Sequence, residues 1–190
     1  STSDAPSASD SSTEAAEQYP DFKACMVSDS GGFEDKSFNQ TSHDGMVEAV
    51  EAMGMQTAEI ESKDVSDFAT NIQKMVDAGC NQITTVGFLL GDATEKAAKA
   101  NPDIDFAIVD YAYEKPSKNL KGLTFNTAEP AYLAGYLAAA KSENGVVGTF
   151  GGQNIPTVTI FMDGFVEGVE KFNEDNGADV KVIGWDAATK

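Results

Sequence analysis

The sequence contains no arginine, so all 13 of its basic residues are lysines, against 31 aspartates and glutamates. The formal net charge is −18. A protein that binds nucleic acid presents a basic face to the phosphate backbone, and this composition therefore argues strongly against nucleic acid as a partner. The absence of arginine also removes the bidentate clamp that most often holds a phosphate or a carboxylate.

Long apolar runs are missing as well. No stretch approaches the ~20 apolar residues of a transmembrane helix, and the most apolar segment, residues 131–140, is predicted to be a buried helix. The chain shows no signal-peptide pattern and begins with a segment rich in serine and aspartate. Because that segment has no apolar periodicity, we expect residues 1–20 to form a disordered tether.

Histidine occurs once and cysteine twice. His43 stands beside an aspartate, but there is no nucleophile elbow and no Walker motif, so no catalytic site is predicted. The cysteine spacing fits no zinc motif. Cys25 and Cys80 fall at strands that would be neighbours in a flavodoxin-like sheet, where a disulfide is geometrically possible. Two separate buried thiols are the interpretation that we favour.

Beyond residue 20, strand patterns and helix patterns alternate, which predicts an α/β fold with a doubly wound parallel sheet. Five strands fit a first lobe over residues 21–127. Residues 128–190 supply only two more strands and form an incomplete second lobe, so we expect a longer protein. The predicted strands span 22–29, 56–61, 82–87, 105–110, 122–126, 145–150 and 180–185. The predicted helices span 36–53, a segment that begins after Ser66 and is ended by Gly79, a segment that opens at Asp92 and stops before Pro102, 129–141 and 157–173.

The most informative segment, residues 27–39, follows the first strand, at the sheet edge where α/β proteins bind ligands. It contains two glycines and three acids, and the acids would repel a phosphate. A neutral ligand with hydroxyl groups and a flat face suits it better, and Asp29 would accept hydrogen bonds from that ligand. A calcium site at Asp29, Glu34 and Asp35 is a weaker alternative, because the acids do not alternate. No metal or cofactor is predicted.

Two side chains at the start of the first helix are further candidates. Phe38 would stack on a flat ligand, although it also continues the apolar stripe of the helix and would then belong to the core. Asn39 offers a donor and an acceptor, which suits the edge of a purine base, or it is a residue of the helix surface.

Other candidates end later strands. Asp110 closes an apolar strand, where a carboxylate is unfavourable unless it is paired or faces a cleft, and we assign it to a ribose hydroxyl. Gly87 and Phe88 end the third strand and would line the cleft, with the glycine allowing close approach to the backbone. Gly152 takes the corresponding place in the second lobe.

Several motifs together resemble the basic membrane protein family, the Med or PnrA-like substrate-binding lipoproteins of ABC transporters. This resemblance covers roughly residues 22–185. It implies two periplasmic-binding-protein-like lobes around a cleft, a purine nucleoside ligand, and an aromatic at Phe38 that faces the base. It also implies an ABC transporter permease as partner and a lipid anchor upstream of residue 1, outside the cytoplasm. The motifs are Asp29 to Gln40, Gly87-Phe88, Phe106 to Asp110, Ala131-Tyr132-Leu133-Ala134-Gly135 and Gly164-Phe165-Val166-Glu167-Gly168.

The sequence therefore predicts a binding protein and not an enzyme: it captures a small ligand by hinge closure of two lobes and delivers it to an importer. Two alternatives use the same cleft. One is a nucleoside-processing enzyme, a hydrolase or phosphorylase, which would need a metal cluster or a phosphate site. The other is a ligand-sensing receptor domain.

Overall fold

The computed structural model describes residues 17–189, and most of the predicted tether lies outside them. Strands and helices alternate along this part of the chain, except that the fifth strand follows the fourth without a helix between them. The strands are β1 (Lys23–Ser28), β2 (Gln56–Glu61), β3 (Gln82–Val86), β4 (Asp105–Val109), β5 (Leu120–Leu123), β6 (Val146–Gly148) and β7 (Lys181–Ile183). The helices are α1 (Phe38–Met53), α2 (Phe68–Asp77), α3 (Gly91–Ala100), α4 (Ala128–Lys141) and α5 (Pro156–Asn176).

Five parallel strands form the main sheet, in the order β2-β1-β3-β4-β5, and β6 and β7 form a separate parallel pair. Successive side chains of a strand point to opposite faces of the sheet. Cys25 and Val27 accordingly join a core with side chains of α2 and of the turn before α3, such as Ile72 and Leu90. Met26 faces the other way and packs near Met46 of α1. Helices cover both faces, which confirms the doubly wound α/β fold.

Most element boundaries differ from the predictions by a few residues, and three of the differences are described here. β5 covers Leu120–Leu123 and not residues 122–126, so the segment after Leu123 is free to turn towards the sheet edge. Asp64, and not Ser66, caps the turn that leads into α2, because its carboxylate accepts from the Ser66 amide at 2.9 Å. α3 starts at Gly91, directly after a short 3-10 turn and without a side-chain cap.

Cys25 and Cys80 form a disulfide, so the favoured prediction of two separate thiols is wrong. The two residues are buried and their Cα atoms are 6.0 Å apart. The turn after α2 places Cys80 just before β3, which is the direct neighbour of β1. The Asn81 amide also donates to the carbonyl of Lys23 at 2.9 Å, and this bond draws the turn against the start of β1.

Residues 18 and 19, at the end of the predicted tether, bond to the end of α1. The Tyr19 amide donates to the Met53 carbonyl at 2.8 Å, and the Gln18 side chain donates to the Ala52 carbonyl at 3.1 Å. These contacts attach the chain to the end of α1 just before β1.

Helices α4 and α5 pack at very short range through glycines. A Cβ atom added to Gly135 would lie 2.0 Å from the carbonyl oxygen of Phe165, and one added to Gly168 would lie 2.0 Å from that of Tyr132. The glycines of two motifs that carry the family resemblance therefore serve helix packing. None of the helices within residues 17–189 combines the length and the apolar character that crossing a membrane requires.

Candidate functional site

Asp29 lies at the carboxyl end of β1 and is held from two sides. Its amide donates to the Val86 carbonyl at 3.1 Å, which ties it to β3. Its Oδ1 atom accepts from the Gly31 amide at 3.0 Å and from Asn39 Nδ2 at 2.8 Å. One carboxylate oxygen is thus occupied within the loop, and Oδ2 points towards Gly87.

Gly87 lies directly against this carboxylate. Its φ is +110°, and a Cβ atom added there would lie 2.4 Å from Asp29 Oδ2. Both the backbone conformation and the contact therefore require glycine. Phe88 follows in the 3-10 turn before α3 and is half-buried. The structure brings Gly87 and Asp29 together, while their contact with a ligand stays a prediction.

Asp35 organises the loop, a role that the sequence did not predict, since it suggested this residue only for a calcium site. Its Oδ1 accepts from the amides of Ser37 at 2.8 Å and Gln40 at 3.0 Å. Its Oδ2 accepts from the Asn39 amide at 3.2 Å and from Asn39 Nδ2 at 3.0 Å. Desolvation opposes ionisation here, but these hydrogen bonds to the charged form prevail and lower the pKa of Asp35. Asp35 therefore supplies the amino-terminal cap of α1 that Ser37 does not.

Asn39 is buried, with 3% exposure, and does not lie on the helix surface. Its Nδ2 donates to Asp29 and Asp35, so the reversed amide, with oxygen facing two carboxylates, is excluded. Its Oδ1 is enclosed and has no hydrogen-bond partner among the described residues. The side chain thus joins the two aspartates, and its contact with a purine edge remains a prediction.

Phe38 is exposed at the first position of α1 and does not belong to the core. Its ring lies beside that of Phe125, with the centroids 6.4 Å apart and the planes tilted by 60°. Phe125 was not among the predicted site residues. The sequence signal for it was weak, because a single aromatic after β5 is equally consistent with the end of a strand.

Asp110 is buried at the end of β4, with 8% exposure, and adopts a left-handed backbone with φ +66°. Its amide donates to the Leu123 carbonyl at 2.9 Å, but its carboxylate has no hydrogen bond or ion pair within residues 17–189. Burial raises the pKa of Asp110 to about 6. A strained backbone and an unpaired buried acid are both unfavourable, and this combination is typical of binding sites.

The carboxylate oxygens of Asp110 are less enclosed than the side-chain oxygen of Asn39. The Asn39 Oδ1 is fully enclosed, whereas the carboxylate oxygens of Asp110 are not among the enclosed unpartnered atoms. The acceptors of Asp110 are therefore not completely enclosed by the protein. Gly152 is exposed after β6, and an added Cβ would meet nothing within 4 Å. Its role in the ligand site stays a prediction.

A groove of about 960 Å³ runs beside the loop, between residues 30–34 and residues 59–63. His43 lines it, stacks on Phe33 with ring centroids 4.7 Å apart, and pairs with Glu59 at 2.5 Å. The histidine is half-buried in these contacts. Within residues 17–189, no group of three or more His, Cys, Asp or Glu side chains is placed to hold a metal ion.

Comparison with known proteins supports the resemblance seen in the motifs. A family model described as "ABC transporter substrate-binding protein PnrA-like" matches residues 22–189. The chain is 35% identical over 168 residues to the ABC transporter nucleoside-binding protein BmpA of Lactococcus lactis subsp. cremoris. This alignment covers 86% of the present chain and 48% of that protein. It is 33% identical over 164 residues to basic membrane protein A of Borreliella burgdorferi, covering 85% and 48% respectively. The chain therefore spans about half the length of the curated relatives it matches.

Comparison with solved structures supports the same assignment. An ABC transporter solute-binding protein from Aeropyrum pernix K1 aligns with a TM-score of 0.73 at 26% identity, over 85% of this chain and 46% of that one. The periplasmic-binding-protein-like architecture predicted from the sequence is thus confirmed.

Proposed function

We propose a ligand and a mode of action for a chain whose family is established: it belongs to the PnrA-like family of ABC transporter substrate-binding proteins. Both the family and the solved relatives are solute-binding proteins and not enzymes. We infer that the full-length protein captures a purine nucleoside between two lobes, formed by residues 21–127 and by residues 128 onwards. It then delivers the ligand to the permease of an ABC importer.

The observation that carries this proposal is the unpaired carboxylate of Asp110 at the same sheet edge as the exposed ring of Phe38. A carboxylate accepts hydrogen bonds from hydroxyl groups, and an exposed ring offers a face for stacking. A nucleoside carries both a ribose with hydroxyl groups and a flat base. The relative from Lactococcus lactis, named a nucleoside-binding protein, adds independent support.

The charge of the site favours nucleosides over nucleotides. Asp29, Glu34 and Asp35 lie in the loop, and Asp110 is nearby, while the chain has no arginine to neutralise a phosphate. A phosphate brought next to these carboxylates would be repelled. We therefore propose that the phosphate-free form of the ligand is the one transported.

An extracytoplasmic location, with a lipid anchor upstream of residue 1, completes the proposal. The Cys25–Cys80 disulfide supports the location, because disulfides persist in oxidising compartments outside the cytoplasm. Closure of the two lobes would then present the loaded protein to the permease, with the ligand favouring the closed state.

Calorimetry on the full-length protein tests this function. We expect binding of inosine, guanosine or adenosine, and weaker binding of the corresponding monophosphates. Asp110→Ala should weaken nucleosides far more than the free bases, because only nucleosides carry the ribose. Tighter binding of a nucleotide than of its nucleoside would contradict the proposal, and equal losses for nucleoside and base would remove the ribose role of Asp110.

A further inference from the structure

Phe125 and Phe38 form an exposed aromatic pair at the carboxyl edge of the five-stranded sheet. Phe125 is 53% exposed and Phe38 is 39% exposed. Their centroids are 6.4 Å apart and their planes are tilted by 60°. A tilted pair at this distance gives edge contact without covering the ring faces. Adjacent aromatic rings that remain this open to water are characteristic of a binding surface.

The backbone places Phe125 close to the buried acid of the site. The Asp110 amide donates to the carbonyl of Leu123, the last residue of β5, at 2.9 Å. Phe125 follows two residues later, in the connection from β5 to α4. The ring therefore extends the same sheet edge at which Asp110 ends β4 and Phe38 begins α1.

Phe125 has little to do with the stability of the fold. It belongs to neither of the two buried apolar clusters and keeps about half of its surface in water. A substitution there should leave the free energy of unfolding nearly unchanged, so an effect on binding would report on the site.

We propose that Phe125 determines specificity in the nucleoside site, an inference that rests on the proposed function. The flat face of the base lies against one ring of the pair, and the edge of the base meets the other ring. The two rings lie close enough together to contact one bound base at the same time. A fused two-ring base buries more area against the pair than a single ring, and the free energy gained scales with buried apolar area. Phe125 thus favours purine over pyrimidine nucleosides.

Calorimetry of the full-length protein with inosine and uridine tests this role. Base–aromatic contacts contribute enough that Phe125→Leu should weaken inosine about tenfold, and uridine less than about threefold. Phe125→Tyr keeps the ring and should retain binding of both ligands within about twofold. Phe22→Leu is the matched control, since Phe22 is also an exposed phenylalanine but lies just before β1, at the opposite edge of the sheet.

The outcomes separate this inference from the function on which it rests. If the wild-type protein binds inosine and Phe125→Leu binds it equally well, or loses inosine and uridine equally, Phe125 has no role in specificity and the proposed function stands. If the wild-type protein binds no nucleoside, the proposed function is wrong and the inference with it. A thermal unfolding midpoint equal to that of the wild type would show that the Phe125→Leu and Phe125→Tyr proteins are folded.

Discussion

Replacing Asp110 by asparagine should stabilise the ligand-free protein at neutral pH while weakening nucleoside binding. The carboxylate is buried at the end of β4 and has no hydrogen bond or ion pair within residues 17–189. At neutral pH the folded protein must therefore hold an unpaired charge in a poorly solvated position. The amide of asparagine has nearly the same shape and removes that charge.

The magnitude follows from the titration of the carboxyl group. Burial raises the pKa of Asp110 from its ordinary value of 3.8 to about 6. Between these two values the native state binds more protons than the unfolded state, so the stability contribution of this group falls as the pH rises from about 4 to 6. At about 1.36 kcal/mol per pH unit, the penalty above pH 6 is about 2–3 kcal/mol. The penalty is absent below pH 4, where the group is protonated in both states.

Urea unfolding of wild type and Asp110→Asn at pH 4 and at pH 7.5 measures this effect. We expect the variant to exceed the wild type by about 2–3 kcal/mol at pH 7.5 and to match it at pH 4. Calorimetry in parallel should show weaker nucleoside binding. A variant less stable than wild type at pH 7.5 would show that the carboxylate is compensated by interactions that the structure does not contain. Equal stability differences at both pH values would also refute the argument, because the effect would then not depend on charge.

Three further predictions concern the scaffold. Cys25→Ala/Cys80→Ala opens a loop with a sequence separation of 55 residues and should cost about 4 kcal/mol of stability; an unchanged denaturant midpoint would show that the bond contributes nothing. Asp35→Ala removes the cap of α1, which should lower the free energy of unfolding by about 1–2 kcal/mol and weaken ligand binding. Asp35→Asn keeps one acceptor and should lower both by less. Gly168→Ala places a Cβ 2.0 Å from a carbonyl oxygen of the facing helix and should cost more than about 1 kcal/mol. Gly45→Ala, on an open surface of α1, is its control and should not lower the thermal midpoint.

Element order and sheet topology are predictable from this sequence because both depend on patterns that repeat along the chain. Strand-like apolar runs alternate with helical stripes, and the preference for right-handed connections leaves only a small number of parallel arrangements for such an order. The disulfide was harder to predict. It depends on how the turn after α2 positions Cys80 relative to β1, and a sequence pattern does not contain the path of a turn.

Some features of the candidate site were likewise predictable from the sequence, and others were not. Asp29 and Asp110 were identifiable as candidates because each follows a strand at the edge where ligands bind. The role of Asp35 was not, because its carboxylate caps α1 from two residues before Ser37, and a serine directly before a helix is the residue that cap preferences favour. Phe38 was ambiguous for a different reason: its place on the apolar stripe predicts burial, but the first turn of a helix extends beyond the sheet that would bury it.

The hydrogen bonding of the site divides its residues into a scaffold and a recognition surface. Asp29 Oδ1 and Asp35 Oδ2 both accept from Asn39 Nδ2, so these atoms are engaged before any ligand arrives. Within residues 17–189, the carboxylate of Asp110 has no hydrogen-bond partner. The tilted contact between Phe38 and Phe125 leaves the faces of their rings uncovered. Binding free energy comes from groups that gain more from the ligand than from the protein or water. We therefore expect Asp110 and the aromatic pair to select the ligand, and the aspartate–asparagine cluster to keep the loop in the conformation that presents them.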